Sequence, residues 1–468
     1  MARSLNPIAA SSSIAVRIRD FPDSARRVYR RGPESFTNLS VYAFGLAALW
    51  ISVNTVLLQL RVLEIADEDQ KNSILGAIAL VGLVVAALSQ PLMGALSDRT
   101  SSRWGKRVPY IVAGNLGLLI TVPFLGIANS FLSLLIVIAL IQLFIHVSQG
   151  PANALLIDHV PAHRRGSGAG ALNLSRVIGG GLTTVIVMVL MSGSGTGDGP
   201  TSWYWISIGL VMTVLALTTL WTFGSLRPKP GHGGVKIEPL VAPHDETIPA
   251  ASAEDSHAMK GYYWFLIAMA MMVGALTAMQ IFALFFLRDK VGLDNPTGAA
   301  AALTATIVIG AAIAVYPSGA VSDRFGRMRV LYGAATVIAV SALPMLFVSS
   351  VIPVVIIGLF VGVGAGMFLS GGWALITELV PAEGAGKSLG LTAFSTLAGT
   401  GLARLSGFGI DALNRQSENL GYDALIIGIV FLLVVAIYPL RQAGLSLSRV
   451  RSATSGTRAD DSLSTYNS

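Results

Sequence analysis

Apolar runs of about 20 residues recur from one end of this chain to the other, each long enough to cross the hydrocarbon core of a bilayer. A soluble core could hide a few such helices but not a dozen. Only 12% of the 468 residues are charged and 53% are hydrophobic, about half the charged share of a water-soluble domain. The chain therefore reads as an all-α polytopic membrane protein, with the lipid bilayer as its solvent. The apolar segments fall near 38–60, 73–96, 108–128, 131–157, 168–191, 202–223, 262–287, 299–320, 330–350, 353–377, 388–410 and 423–441. The first of them starts too late and runs too long for an ordinary cleaved signal peptide, so helix 1 is expected to stay in the mature protein.

Residues 224–261 carry Pro, Gly, His and charges without a helical apolar stripe, and mark a linker between two sets of six helices. The expected organisation is a basic N-terminal tail (1–37), a six-helix bundle (38–223), the linker (224–261), a second bundle (262–441) and a disordered tail (442–468). Lys and Arg set the orientation: about 25 fall in segments on the side of the termini and about five on the other. The five are Arg61, Lys71, Arg288, Lys290 and Arg415. Tails and linker are thus expected in the cytoplasm, with the protein in the plasma membrane of the cell.

The same distribution disposes of a nucleic-acid partner. The net charge of +7 comes from short basic clusters between apolar runs, with no separate basic domain. There is no cysteine among the residues and the six histidines are scattered. His159 and His163 are four apart with Pro161 between them, which spoils a metal-binding helical turn. No metal and no cofactor are expected, and no nucleophile, base and orienting group converge at a catalytic spacing, so the chain is not read as an enzyme.

The two halves repeat one another. Gly94-Ala-Leu-Ser-Asp98-Arg99 follows the second segment and Gly319-Ala-Val-Ser-Asp323-Arg324 follows the eighth. Asp158-His-Val-Pro161-Ala162 with Gly166 matches Glu378-Leu-Val-Pro381-Ala382 with Gly386 at the ends of the fourth and tenth. Two matched pairs at offsets of about 225 and 220 residues report one duplication of a six-helix unit.

These loops resemble the signature of the major facilitator superfamily, over nearly the whole chain. The stretch from Ser97-Asp98-Arg99 through Arg103-Trp104-Gly105-Lys106-Arg107 to Pro109-Tyr110 and Gly114 is similar to the sucrose-transporter and glycoside-pentoside-hexuronide branches. So is Gly150-Pro151 followed by Ala154-Leu155-Leu156 and Asp158. The resemblance implies secondary transport of a small-molecule substrate, a sugar or glycoside first, by alternating access. It favours proton symport and implicates Asp158, with His146 as the partner that could share H+. Cation-coupled glycoside carriers place acidic residues in helix 2, and 73–96 has none, which argues against sodium. A monomer is the expected working unit.

For the inner face we expect a charge latch of Asp98, Arg99, Arg107, Asp158 and Arg165, mirrored by Asp323, Arg324 and Glu378. Simple helix capping under the positive-inside bias is the other reading. Charges and amides inside the helices are costly at bilayer depth and so point to a cavity or a snorkelling end. Arg176 with Asn173, the stripe His146, Gln149 and Asn153, and Asn54, Gln280 and Trp373 are the cavity candidates, with packing between helices as the bland alternative. Arg404 and Asp411, seven apart, are expected to form an exposed ion pair. The rival substrate class is a drug or amphipathic metabolite for export, suggested by Met269, Met271, Met272 and Met279. A receptor or scaffold that lost turnover is the rival of another kind.

Overall fold

In a computed structural model, described at residues 32–100, 102, 106–159, 165–193, 202–226, 253–379 and 385–464, the chain forms twelve helical rods and, among the described residues, no strand. α1 runs Gly32–Ser52, widens into a π-helical turn at Val53–Leu57 and continues as Leu58–Ile65. Then come α2 (Lys71–Arg99), α3 (Val108–Thr121), α4 (Phe131–His159), α5 (Arg165–Ser192) and α6 (Ser202–Leu226). The second set is α7 (Ala253–Asp289), α8 (Pro296–Phe325), α9 (Arg327–Ala342), α10 (Val351–Leu379), α11 (Ala385–Asn414) and α12 (Leu420–Ser464). Eleven of the twelve are long and apolar enough to cross a membrane. The exception over the described residues is α11, whose Ser, Thr, Gly and Arg404 dilute its hydropathy.

Packing partners repeat six helices later. α1 lies on α5 and α6 as α7 lies on α11 and α12; α4 takes α2 and α3 as α10 takes α8 and α9. The seam between halves pairs α2 with α11 and α5 with α8. The correspondence reaches single residues: a Cβ on Gly181 would meet Val308 and one on Gly401 would meet Leu83. Pro91 in α2 and Pro317 in α8 sit alike, and α3 and α9 both finish in a 3-10 turn that opens on a proline step, Val122–Gly126 and Leu343–Phe347.

Two helices run past the segment bounds read from sequence. The stretch 442–468, expected to be disordered, continues α12 as far as Ser464, because adding a residue to a formed helix is far easier than nucleating one and no proline follows Pro439. Its start is also packed: Ala443 is fully buried and Gly444 faces Met328 and Tyr332. The end of the expected linker, from Ala253, is likewise the first turns of α7. The N-terminal tail and residues 227–252 lie outside the described residues.

The two ends of the bundle differ. Between Pro296 and Gly310 only Gly298 and Ile309 of α8 are exposed, whereas Ala312, Ile313, Val315, Tyr316 and Pro317 all are. Tyr316 is 86% exposed. The halves therefore close against each other at the end away from the termini and stand apart toward the end that bears them.

Candidate functional site

The closed end is a cross-half network. Lys71, at the start of α2, donates to Asp289 Oδ1 at the end of α7 (2.8 Å) and to Glu68 (2.5 Å). Arg288 reaches Glu68 at 2.7 Å. The Tyr422 hydroxyl donates to Asp289 Oδ2 (2.5 Å). Beside it Asn72 Nδ2 donates to Asp411 Oδ1 (2.8 Å) and the Ser73 N–H to Asp411 Oδ2 (2.5 Å). Lys71, Asn72, Asp411 and Tyr422 are all buried, so these bonds act where water competes little. On the α5–α8 side Asn295 Nδ2 donates to the Ser192 carbonyl (2.9 Å), and a Cβ built on Gly298 would stand 3.4 Å from Ser192 Cβ.

The Glu68 carboxyl feels desolvation, which raises its pKa, but the Lys71 hydrogen bond and the charges of Lys71 and Arg288 together outweigh it and hold the group below its ordinary value. A depressed carboxylate stabilises above its unfolded pKa and loses that contribution as pH falls through the folded one. Thermal unfolding of the purified protein is therefore expected to lose a Glu68-dependent increment only below the ordinary carboxylate range, and the increment should vanish at every pH in Glu68→Gln.

Behind the seal, where α1, α5, α7, α8, α10 and α12 meet, lies a cavity of ≈ 340 Å³. Its wall is apolar, with methionines 188, 279 and 345; only Thr55, Thr184, Gln280 and Thr304 bring polar side chains. The π turn of α1 swings Thr55 onto this wall, a place where such bulges recur. Gln280 Nε2 donates to Thr55 Oγ1 across the halves (3.3 Å), and Thr184 bonds Ser52 (3.1 Å).

Of the cavity residues expected from sequence whose side chains are described, Gln280 alone lines this space. Gln149, Asn153 and Arg176 line a smaller pocket of ≈ 110 Å³ between α1, α4 and α5. There Arg176 donates to Asn153 Oδ1 (2.7 Å) and Asn173 Oδ1 (3.3 Å), so it points inward and does not snorkel. Asn54 instead bonds the Trp50 carbonyl (2.8 Å) and accepts from Gln142 (3.4 Å). His146 is buried, and its Nδ1 has no partner among the described residues. It stands twelve residues from Asp158 along α4, about 18 Å of helix, too far for direct proton transfer between them. The side chains of Trp373, Asp158, Arg165, Asp323 and Glu378 lie outside the described residues.

The expected Arg404–Asp411 ion pair is absent. Asp411 is engaged by α2, as above, while Arg404 is buried two turns away, and side chains on a helix lean toward its N-terminus, which carries this guanidinium away from Asp411. At the other end Asp98 pairs with Arg107 (2.6 Å), which also donates to Ser97 Oγ (2.6 Å). Arg99 and Arg324 are exposed, the latter over the Phe325 ring. Thr55, Thr184, Thr304 and Gln142 were missed. Two could have been found by carrying each stripe on: Thr184 lies eight residues past Arg176, and Gln142 four before His146.

The defining pattern of the Major Facilitator Superfamily matches residues 36–404, and again 265–453. Among solved structures, the nucleoside transporter NupG is 15% identical over 87% of this chain and 98% of its own, with a TM-score of 0.62. A bacterial homologue of the human lysosomal transporter Spinster, inward-facing and unoccupied, is 15% identical over 89% and 98%, at 0.63. A peptide transporter POT bound to sulfate is 16% identical over 88% and 96%, at 0.63. At such identities the likeness is one of fold. A Synechocystis protein described as an uncharacterized symporter is 44% identical over 39 residues, which is 8% of this chain and 7% of that protein. With its duplicated six-helix halves, a cavity between them and a pattern match along most of its length, this integral membrane protein belongs to the Major Facilitator Superfamily.

Proposed function

We propose that the protein is a secondary transporter carrying a small organic solute across the plasma membrane by alternating access, with both termini in the cytoplasm. The observation that carries this reading is the cavity lined by both halves, together with the Lys71–Asp289 and Asn72–Asp411 contacts that join the halves at the end of the bundle away from the termini. In the proposed orientation that end is external, so the structure corresponds to an inward-facing state. Rocking the halves would part these contacts and close the other end.

The solute class we infer is amphipathic, in preference to the sugar that the loop motifs favour. A sugar presents a hydroxyl on nearly every carbon, and each needs a partner once water is gone. Four polar side chains supply too few, whereas the methionine-rich wall adapts to apolar bodies of differing shape. Proteoliposome uptake of a sugar panel against a panel of amphipathic metabolites, with and without an imposed pH gradient, tests both solute and coupling. Saturable uptake of sugars alone would overturn the choice. Gln280→Leu, which removes the polar bridge to Thr55, is expected to raise KM about tenfold, the worth of one neutral hydrogen bond in a dry site.

At the cytoplasmic end Asp98 and Arg107 pair within the first half, and we assign Asp98 to a latch that gains partners from the second half when the halves close there in the outward-facing state. Asp98→Asn is then expected to slow turnover severalfold while solute-induced thermal stabilisation stays. Unchanged turnover would leave the pair a helix-capping feature.

A further inference from the structure

Arg176 is the one Asp, Glu, Lys or Arg in the central span of the first six helices. It lines the ≈ 110 Å³ pocket between α1, α4 and α5 together with Gln149 and Asn153. No acid occurs in the stretches that build this wall, 39–51, 145–153 and 172–176. The nearest along α4, Asp158, lies five residues past Asn153, about 140° around the helix and about 7.5 Å further along it, so α4 turns it away. Asn153 and Asn173 each accept one N–H from Arg176, but both are neutral and leave its charge uncancelled. A guanidinium withdrawn from water without a counter-charge is costly.

The donors are in place and in excess. A guanidinium offers a rigid fork of five N–H groups, of which these amides take two. No Arg176 nitrogen is both buried and without a partner, so the other N–H groups open onto accessible space. The Gln149 amide lines the same pocket and has no partner among the described residues. The rest of the wall is largely apolar, with Leu39, Leu46, Ala47, Ile145 and Leu172. A polyol would meet the donors yet leave the charge, and a cation would be repelled; a negative group on an apolar body answers both. At the roughly 30 Å³ a liquid water occupies, the space equals that of about three or four waters, which suits a short acid. The pocket is separate from the central cavity, since among the described residues Ile51 alone lines both. It sits toward the end that bears the termini, where the halves stand apart, with Trp50 38% exposed on its wall.

We propose that this pocket is a second binding site, for a small organic carboxylate held by the Arg176 guanidinium and the Gln149 amide, with its apolar body against the leucine and isoleucine side chains. The paired oxygens of a carboxylate match the guanidinium fork. Once bound, the anion cancels the central charge of the first half. The site is additional to the central cavity and does not rest on the transport reading.

Calorimetric titration of the purified full chain tests it, with butyrate as the probe, butyramide as its neutral isostere and chloride as an inorganic competitor. Butyrate is expected to bind and butyramide to bind at least tenfold more weakly. Arg176→Gln should weaken butyrate between about tenfold and a hundredfold, the worth of a hydrogen bond to a charged group, while Arg176→Lys keeps the preference for the anion. Gln149→Leu leaves the Arg176–Asn153 contact in place and should weaken butyrate severalfold, which keeps the test open if Arg176→Gln does not fold. Gln280→Leu, in the central cavity, should leave the butyrate constant as in the parent. No binding of butyrate, equal binding of butyramide, butyrate binding that survives Arg176→Gln, or chloride competing as well as butyrate itself would each overturn the site. A loss in Gln280→Leu as large as in Gln149→Leu would overturn it too, by moving the ligand to the central cavity. The titration reads no flux, so its failure leaves the transport reading standing, and a protein that binds butyrate here yet carries nothing sinks that reading alone.

Discussion

Oxidising the Ser192→Cys, Gly298→Cys double variant is expected to reduce transport by a hundredfold or more, down to the residue of unlinked protein, as an alternating-access cycle cannot proceed with one gate welded. The added Cβ at 298 would lie 3.4 Å from that of residue 192, at the short edge of the roughly 3.5–4.5 Å that disulfides span. The link joins α5 to α8, and so joins one half to the other. No native thiol competes for it. Dithiothreitol should restore flux, and neither single variant should lose it. Full cross-linking with undiminished flux would show that this end does not have to open.

The second large effect is expected at Asp289. Truncation to Ala strips the acceptor from both Lys71 and the Tyr422 hydroxyl, two buried donors that α7 otherwise satisfies. Breaking a buried pair costs about 3–5 kcal/mol. Glu68 still holds Lys71 here, which places the expected loss near the lower figure, on the order of a hundredfold shift toward parted halves. The rate of disulfide formation between cysteines at residues 192 and 298 would fall accordingly. The exchange Lys71→Asp with Asp289→Lys should recover part of the closure, since the charges stay paired although Tyr422 and Glu68 meet altered partners. A swap no better than Asp289→Ala alone would mean that shape, and not charge, holds this end.

What the chain disclosed by its sequence followed from local rules. Twelve helices and the duplication rest on periodicity, length and composition, which act over a few turns; the polarity that sets α11 apart passed unread there, its 388–410 stretch counting as one more apolar run. The seal did not disclose itself, because Lys71 meets Asp289 and Asn72 meets Asp411 only through the packing of distant helices. Arg404 and Asp411 look like a pair when spacing along one helix is all that is considered; α2 takes the carboxylate away. The polar stripe of α4 was legible as a stripe, yet its residues divide between a network with Asn54, a side pocket with Arg176 and a buried imidazole. Rotation of a helix about its axis is set by its neighbours. The π turn that turns Thr55 onto the cavity wall has no marker in the letters Val53–Leu57.

The junction of α8 and α9 is a single residue, Gly326, with φ of +94°, a conformation that side chains on Cβ disfavour. Its counterpart in the first half is the stretch 100–107 between α2 and α3. A hinge of one residue leaves its two rods almost no independent play, so α9 must follow whatever swing α8 makes. In the first half eight residues, 100–107, part the same two rods, so this tight coupling of rod to rod belongs to the second half alone, and α8 with α9 should tilt there as one stiff paddle.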